Sequence, residues 1–166
     1  MIRPTRPDDT PALVALAEGT AVFKPHELVA LREVLDDYHA VHHREGHRAS
    51  TLERDGQVAG FAYHAPAAMT DRAWYLYWIA VDRRFQSLGL GAELLRHVEA
   101  DIASKSGRLL LVETSSLPHY EPTRRFYLRR GYDLACTLPD FYADGDDLVI
   151  FRKRMDNLAH SSMTSA

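Results

Sequence analysis

The stretch VDRRFQSLGLGAELL, residues 81–95, decides the fold. It begins where an apolar run, WYLYWIAV (74–81), ends. The aromatic and β-branched residues of that run suit a central strand covered on both faces, and it reads as the most buried strand in the chain. A short loop with Arg83, Arg84 and Gln86 leads to Gly89 and Gly91. Leu90, Leu94, Val98 and Ile102 then recur four residues apart, the stripe of an amphipathic helix that Gly107 can close. Strand, glycine loop and helix in this order make an anion site. The glycines let the backbone approach a phosphate, and the unpaired N–H groups of the first helical turn face it with the favourable end of the helix dipole.

Outward from this segment, the chain reads as alternating strands and helices. Ile2 to Arg6 is extended, and Asp8 or Asp9 followed by Pro11 starts a helix through ALVALAEG. From Pro25, Leu28, Leu31, Val34, Leu35 and Tyr38 keep helical spacing until about His42. ASTLERDGQVAGFAYHA (49–65) reads as a hairpin, because Asp55-Gly56 supplies the positive φ of a tight turn. After the central helix come a strand, RLLLVETSS (108–116), and a helix between Pro118 and Arg130. That helix is stopped by Gly131, with Tyr132 placed for the accompanying apolar contact. YDLACTLPDFYADGDDLVIFRKRM (132–155) is a final hairpin around Ala143 to Asp146, and residues 157–166 read as a flexible tail. The order implies one α/β (α+β) domain over residues 1–156, with helices packed against a single sheet.

Composition bounds the function. The 166 residues carry 20 Lys and Arg against 23 Asp and Glu, a formal charge of −3, which removes the overall basic character of a general nucleic-acid binder. The single cysteine, Cys136, leaves no disulfide framework or cysteine zinc cluster, and its apolar surroundings read as core. No apolar run approaches the ~20 residues of a membrane span and the start lacks a secretory core, so a cytoplasmic location is expected, with no membrane or nucleic-acid partner. His39, His42, His43 and His47 fall partly at helical spacing, but no third ligand or HExxH motif accompanies them, and no metal is expected.

Two other phosphate motifs fail on the same residues. A P-loop requires Lys then Ser or Thr after its second glycine, where Ala92-Glu93 stands, and the dinucleotide fingerprint requires a third glycine at Leu94. QSLGLG (86–91) and FYLRRGY (126–132) instead resemble the motifs of the GNAT superfamily of acetyl-CoA-dependent N-acetyltransferases, in that family's order and spacing. The resemblance implies a twisted, mixed but mostly antiparallel sheet of six to seven strands, flanked by about four helices and splayed between WYLYWIAV and RLLLVE. It also implies acetyl-CoA as donor, and a small-molecule or peptide amine as acceptor attacking directly in a ternary complex. The oligomeric expectation is a monomer or homodimer.

Position by position, the resemblance implies that backbone groups of Ile79, Ala80 and Val81 pair with the pantetheine arm. Gln86, Ser87, Leu88, Gly89, Leu90, Gly91 and Ala92 would cradle the pyrophosphate. Leu88 and Tyr120 depart from the family pattern, which often has a polar residue at the first position and Asn at the second. Tyr127 maps to the tyrosine that returns a proton to the leaving thiolate. Tyr120 and Thr123 share its helix face and count as cofactor contacts. Glu113, at a strand end, is the preferred base, with Tyr77, Glu121, Asp140 and Tyr142 in reserve. Residues 83–130 hold nine Lys/Arg against five Asp/Glu, and 131–156 three against six, so Arg83, Arg84, Arg124 and Arg125 are candidate phosphate partners. Two alternatives use the same loop without turnover: an acyl-CoA-binding sensor and a nucleotide-binding regulatory domain.

Overall fold

The structure is a computed structural model that describes residues 1–155, so the expected tail at 157–166 lies outside the described residues. The strands are β1 (Ile2–Pro4), β2 (Arg48–Arg54), β3 (Gln57–Pro66), β4 (Ala73–Val81), β5 (Leu109–Ser115), β6 (Asp133–Ala143) and β7 (Asp146–Arg154). The helices are α1 (Thr10–Gly19), α2 (Pro25–Ala40), α3 (Leu90–Ser104) and α4 (Glu121–Arg129). The sheet order is β1-β2-β3-β4-β5-β7-β6, with β4–β5 a parallel pair amid antiparallel ones. This is the mixed, mostly antiparallel sheet with four helices that the sequence implies. Two compact units divide the chain, Met1–Pro66 with Tyr77–Ala100, and Ala67–Leu76 with the residues from Asp101 onward.

In the first unit, α1 and α2 bury one face each. Leu13, Leu16 and Ala17 meet Leu31, Leu35 and Tyr38 over Ala49, Phe61, Tyr63 and Ala80 of the strands. Burial of a large apolar side chain contributes about 1.5–3 kcal/mol, so each of the large residues of this cluster stabilises the unit appreciably. The Asp55-Gly56 turn has φ of 51° and 73°, as the hairpin requires. Asp9 does not cap α1. Its carboxylate takes two bonds from the Arg3 guanidinium, at 2.7 and 2.9 Å, and one from the Arg6 N–H, while Arg3 Nε donates to Glu53 at 2.7 Å. That buried fork rivets β1 to the start of α1 and to β2.

The most buried strand is β3, with Ala59 to Ala65 inside, whereas β4 leaves Tyr77 exposed. A run of aromatics reads as core because of its area. Tyr77 nevertheless lies where the β4–β5 ladder has ended, for that ladder pairs only Ala73–Leu76 with Leu109–Val112.

In the second unit, β7 runs between β5 and β6 and makes β6 an edge strand. All of β6 is exposed, Leu134, Leu138 and Cys136 included, which corrects the reading of Cys136 as core. The apolar residues around it could not show that their strand has a neighbour on one side only. The C-terminus of α3 departs in detail: Ser106 takes the positive φ, 56°, and Gly107 is needed for space, because a Cβ there would lie 2.2 Å from Ile102 Cγ2.

Candidate active site

In the first unit, Ile79, Ala80 and Val81 carry the chain out of β4 and the Asp82 N–H bonds back to Ala59 O at 2.8 Å. Asp82 folds the next turn by accepting from Arg84 N at 2.8 Å. The same carboxylate holds the Arg84 guanidinium, at 2.9 Å to Oδ2, and the other arm of Arg84 donates to Gln57 Oε1 at 3.0 Å. Arg84 is therefore committed within the protein. Arg83 is exposed and, among the described residues, has no side-chain partner.

Gln86, Ser87, Leu88 and Gly89 form an exposed loop with Ser87 at φ 67° and Gly89 at φ 78°. Two left-handed residues around Leu88 curl the backbone into a concave turn. Leu90 then plunges into the core, and the first helical bond runs from Glu93 N to Gly89 O at 3.0 Å. The N–H groups of Leu90, Gly91 and Ala92 precede that bond and have no acceptor within the helix. Leu94, Leu95, Val98 and Ile102 are each at most 1% exposed, so the rest of α3 is anchored by its apolar stripe and its free N–H groups are held in place.

Sequence reading missed Gly60. A Cβ at that position would lie 2.9 Å from Ala80 O and 3.0 Å from Leu94 Cδ1. Only glycine lets β3 lie this close to the end of β4 and the start of α3. A glycine inside an alternating strand is the signal that could have found it.

In the second unit, Glu113 sits on β5 one residue past the β4–β5 ladder, paired in register with Ile150 of β7. Its side chain is exposed, yet protein on its flanks desolvates the carboxyl and raises its pKa above the ordinary value. Among the described residues no cation or donor satisfies it. Tyr120 ends a short 3₁₀ turn just before α4 and is buried, Thr123 is half-buried, and Tyr127 is 2% exposed. The Tyr127 ring packs among Phe126, Tyr132 and Phe151 at centroid distances of 5.2, 5.4 and 5.9 Å. Burial raises the phenol pKa, so the hydroxyl keeps its proton at neutral pH.

The helix stop works as read. Tyr132 N bonds to Tyr127 O at 3.2 Å and Gly131 N to Leu128 O at 3.3 Å, with Gly131 at φ 83°. Arg124 is held by the protein: its guanidinium Nη1 donates to Ser115 O at 2.7 Å and Leu117 O at 3.0 Å, tying α4 to the end of β5. Arg125 pairs with Glu121 at 2.7 Å. Ser115 also donates to Asp146, so part of the acidic hairpin is buried scaffolding. The first unit thus gathers the predicted loop and strand residues 79–92, and the second gathers Glu113, Tyr120, Thr123 and Tyr127.

The histidines form no helical face. The α2 helix stops at Ala40, and His42 and His43 lie in a 3₁₀ turn. Among the described residues no group of His, Cys, Asp and Glu is arranged to hold a metal ion.

Known proteins resemble this chain in sequence and fold. An uncharacterized N-acetyltransferase of Methanocaldococcus jannaschii is 32% identical over 108 residues, which are 63% of this chain and 65% of the relative, just under two thirds of its length. A GNAT-family structure from Desulfovibrio desulfuricans matches with a TM-score of 0.89 at 35% identity, covering 93% of this chain and 98% of that one. An aminoglycoside 6′-N-acetyltransferase complexed with coenzyme A matches in fold alone, with a TM-score of 0.75 at 17% identity over 93% and 97% of the two chains. The acetyltransferase (GNAT) family pattern matches residues 13–132, well over half of the sequence and inclusive of both the glycine loop and the Phe126–Tyr132 segment; the chain belongs to the GNAT acetyltransferase family.

Proposed function

We propose that this protein is an acetyl-CoA-dependent N-acetyltransferase that transfers the acetyl group to a primary amine by direct attack. The carrying observation is the loop Gln86–Gly89, exposed and curled by Ser87 and Gly89, which opens onto the free N–H groups of an anchored α3. Those groups fit a pyrophosphate, because they offer fixed donors and the positive helix end without a hydration shell to remove from a cation. Backbone groups of Ile79, Ala80 and Val81 fit an extended amide-bearing arm, and the relative complexed with coenzyme A supports that donor class.

Acetyl-CoA would supply the activated acyl carbon. The chain's own residues would handle protons and charge. Tyr127 holds a proton that burial prevents it from losing, and returns it to the departing sulfur. Tyr120 and Thr123 line the same helix face. Glu113, a desolvated carboxylate without a counter-ion, draws in the acceptor ammonium and stands ready to take its proton. The acceptor is a small-molecule or peptide amine.

The test measures CoA release with a thiol reagent, in the presence of acetyl-CoA and a panel of spermidine, lysine methyl ester, an alanyl peptide and an aminoglycoside. Acceptor-dependent thiol release supports the reading. Binding of acetyl-CoA without release for any amine would favour the sensor alternative.

A further inference from the structure

The two edge strands of the sheet are finished differently. One edge, β1, is only Ile2–Pro4; it ends in a proline and carries Arg3, whose guanidinium is held by Asp9 and Glu53. Short strands, prolines and charges of this kind keep a sheet edge from pairing with another chain. The other edge, β6, runs for 11 residues, DLACTLPDFYA, contains neither Lys nor Arg, and is exposed at every position. Its stretch from Leu134 to Pro139 is uncharged. Pro139 withholds a single N–H, at the point where the ladder to β7 breaks after Leu138.

Both faces of this edge are apolar. Residues directly opposite each other share a face, so Cys136 and Leu138 lie with Ile150 and Leu148 on one side. A register shift between Leu134 and Cys136 puts Leu134, with Thr137, on the other side, beside Phe151 and Val149. A partner laid over one face would leave the other wet. A strand added edge-on meets both and also takes up the outer backbone N–H and C=O groups. Leu134, Leu138, Phe141 and Tyr142 are 56, 49, 55 and 43% exposed, which for side chains of this size leaves on the order of 400 Å² of mostly apolar surface. The remaining exposed residues of β6 bring this toward the roughly 800 Å² per partner of a standard interface.

We propose that the protein forms a two-fold homodimer in which β6 of one protomer pairs antiparallel with β6 of its partner, making one continuous sheet. Antiparallel pairing of two identical strands closes on itself about a two-fold axis, the commonest symmetry of soluble oligomers, and uses up both edges. An axis through Thr137 sets each Cys136 opposite the other copy's Leu138, on the face that these two residues share. In that register Asp133 falls opposite Phe141 and Asp140 opposite Leu134, so no carboxylate meets another. The chain's own residues 156–166, DNLAHSSMTSA, carry only Leu158 and Met163 as large apolar side chains and match the edge less well.

Sedimentation velocity of the full chain from about 1 to 100 μM should show a monomer–dimer equilibrium with a dissociation constant of micromolar strength or tighter, as interfaces of this size give. The double variant Leu134→Lys/Leu138→Lys places a charge on each face of the strand at sites that water already reaches, so fold and melting temperature should be retained. Each substitution enters the interface twice, and the dissociation constant should rise about 10²-fold or more. The wild type reports the position of the interface independently. A short bismaleimide should join two chains through Cys136, the single cysteine, and should cease to do so on dilution below the dissociation constant. If the double variant does not fold, this crosslink decides alone. A wild type that stays monomeric across the range, a dimer that survives both lysines, or a dimer whose Cys136 residues do not crosslink would each overturn the proposal.

Discussion

Replacing Tyr127 with Phe isolates one hydroxyl. The ring is 2% exposed and wedged among Phe126, Tyr132 and Phe151, so Phe fills the same space. Among the described residues the hydroxyl donates to and accepts from no other side chain, and its removal leaves no orphaned partner. The stability change should stay within about 0.5 kcal/mol, or roughly 2 °C in melting temperature for a chain of this size. The rate should respond very differently. A positioned general acid contributes about 10²–10⁴-fold, so kcat should fall by that factor, about 2.7–5.4 kcal/mol of barrier. Thiol release under saturating acetyl-CoA and amine reads kcat, and calorimetric titration reads donor affinity, which should change little. A variant that turns over like the wild type, with the same melting temperature, would refute the reasoning that this buried phenol is kept for its proton.

Further outcomes follow from the packing. Gly60→Ala should force a Cβ to within 2.9 Å of Ala80 O, and overpacking of this kind costs about 1–3 kcal/mol. It should lower the melting temperature by several degrees and weaken acetyl-CoA binding in calorimetry, since the displaced carbonyl lies between Ile79 and Val81. The Arg3–Asp9 fork predicts an acid-stability signature. Hydrogen bonding from Arg3 lowers the Asp9 pKa in the folded protein, so its contribution is full above the unfolded value of 3.8 and is lost as pH falls through the folded value. Asp9→Asn should destabilise the protein at pH 7 by about 3 kcal/mol and flatten the loss of stability below pH 4, as read by urea titrations across pH.

Local signals were legible where one short stretch contains both the cause and its effect. The Asp55-Gly56 turn, the Leu90 to Ile102 stripe and the Gly131-Tyr132 stop are each decided within a few residues, and each forms as read. Commitments made across the fold were not legible. Arg84 finds Gln57, 27 positions away, and Arg124 finds the Ser115 carbonyl; with Arg125 on Glu121, three of the four arginines read as phosphate partners are held by the protein. Cys136 and its apolar neighbours lie outside because β7 separates β6 from the rest of the sheet, a fact of topology that hydropathy does not carry. The spacing of His39, His42, His43 and His47 puts them only partly on one helix face. The chain leaves the helix at Ala40, and His47 meets Tyr63 from a different strand.

Titration calorimetry of the protein with acetyl-CoA, with ATP and NAD as controls, tests the central claim most directly. The account predicts binding of micromolar strength or tighter, about −8 kcal/mol, confined to acetyl-CoA, because β4 backbone groups and the Gln86–Ala92 loop must be satisfied by pantetheine and pyrophosphate together. No binding, or equal binding of all three ligands, would contradict it and reduce the glycine loop to a generic phosphate site or a turn.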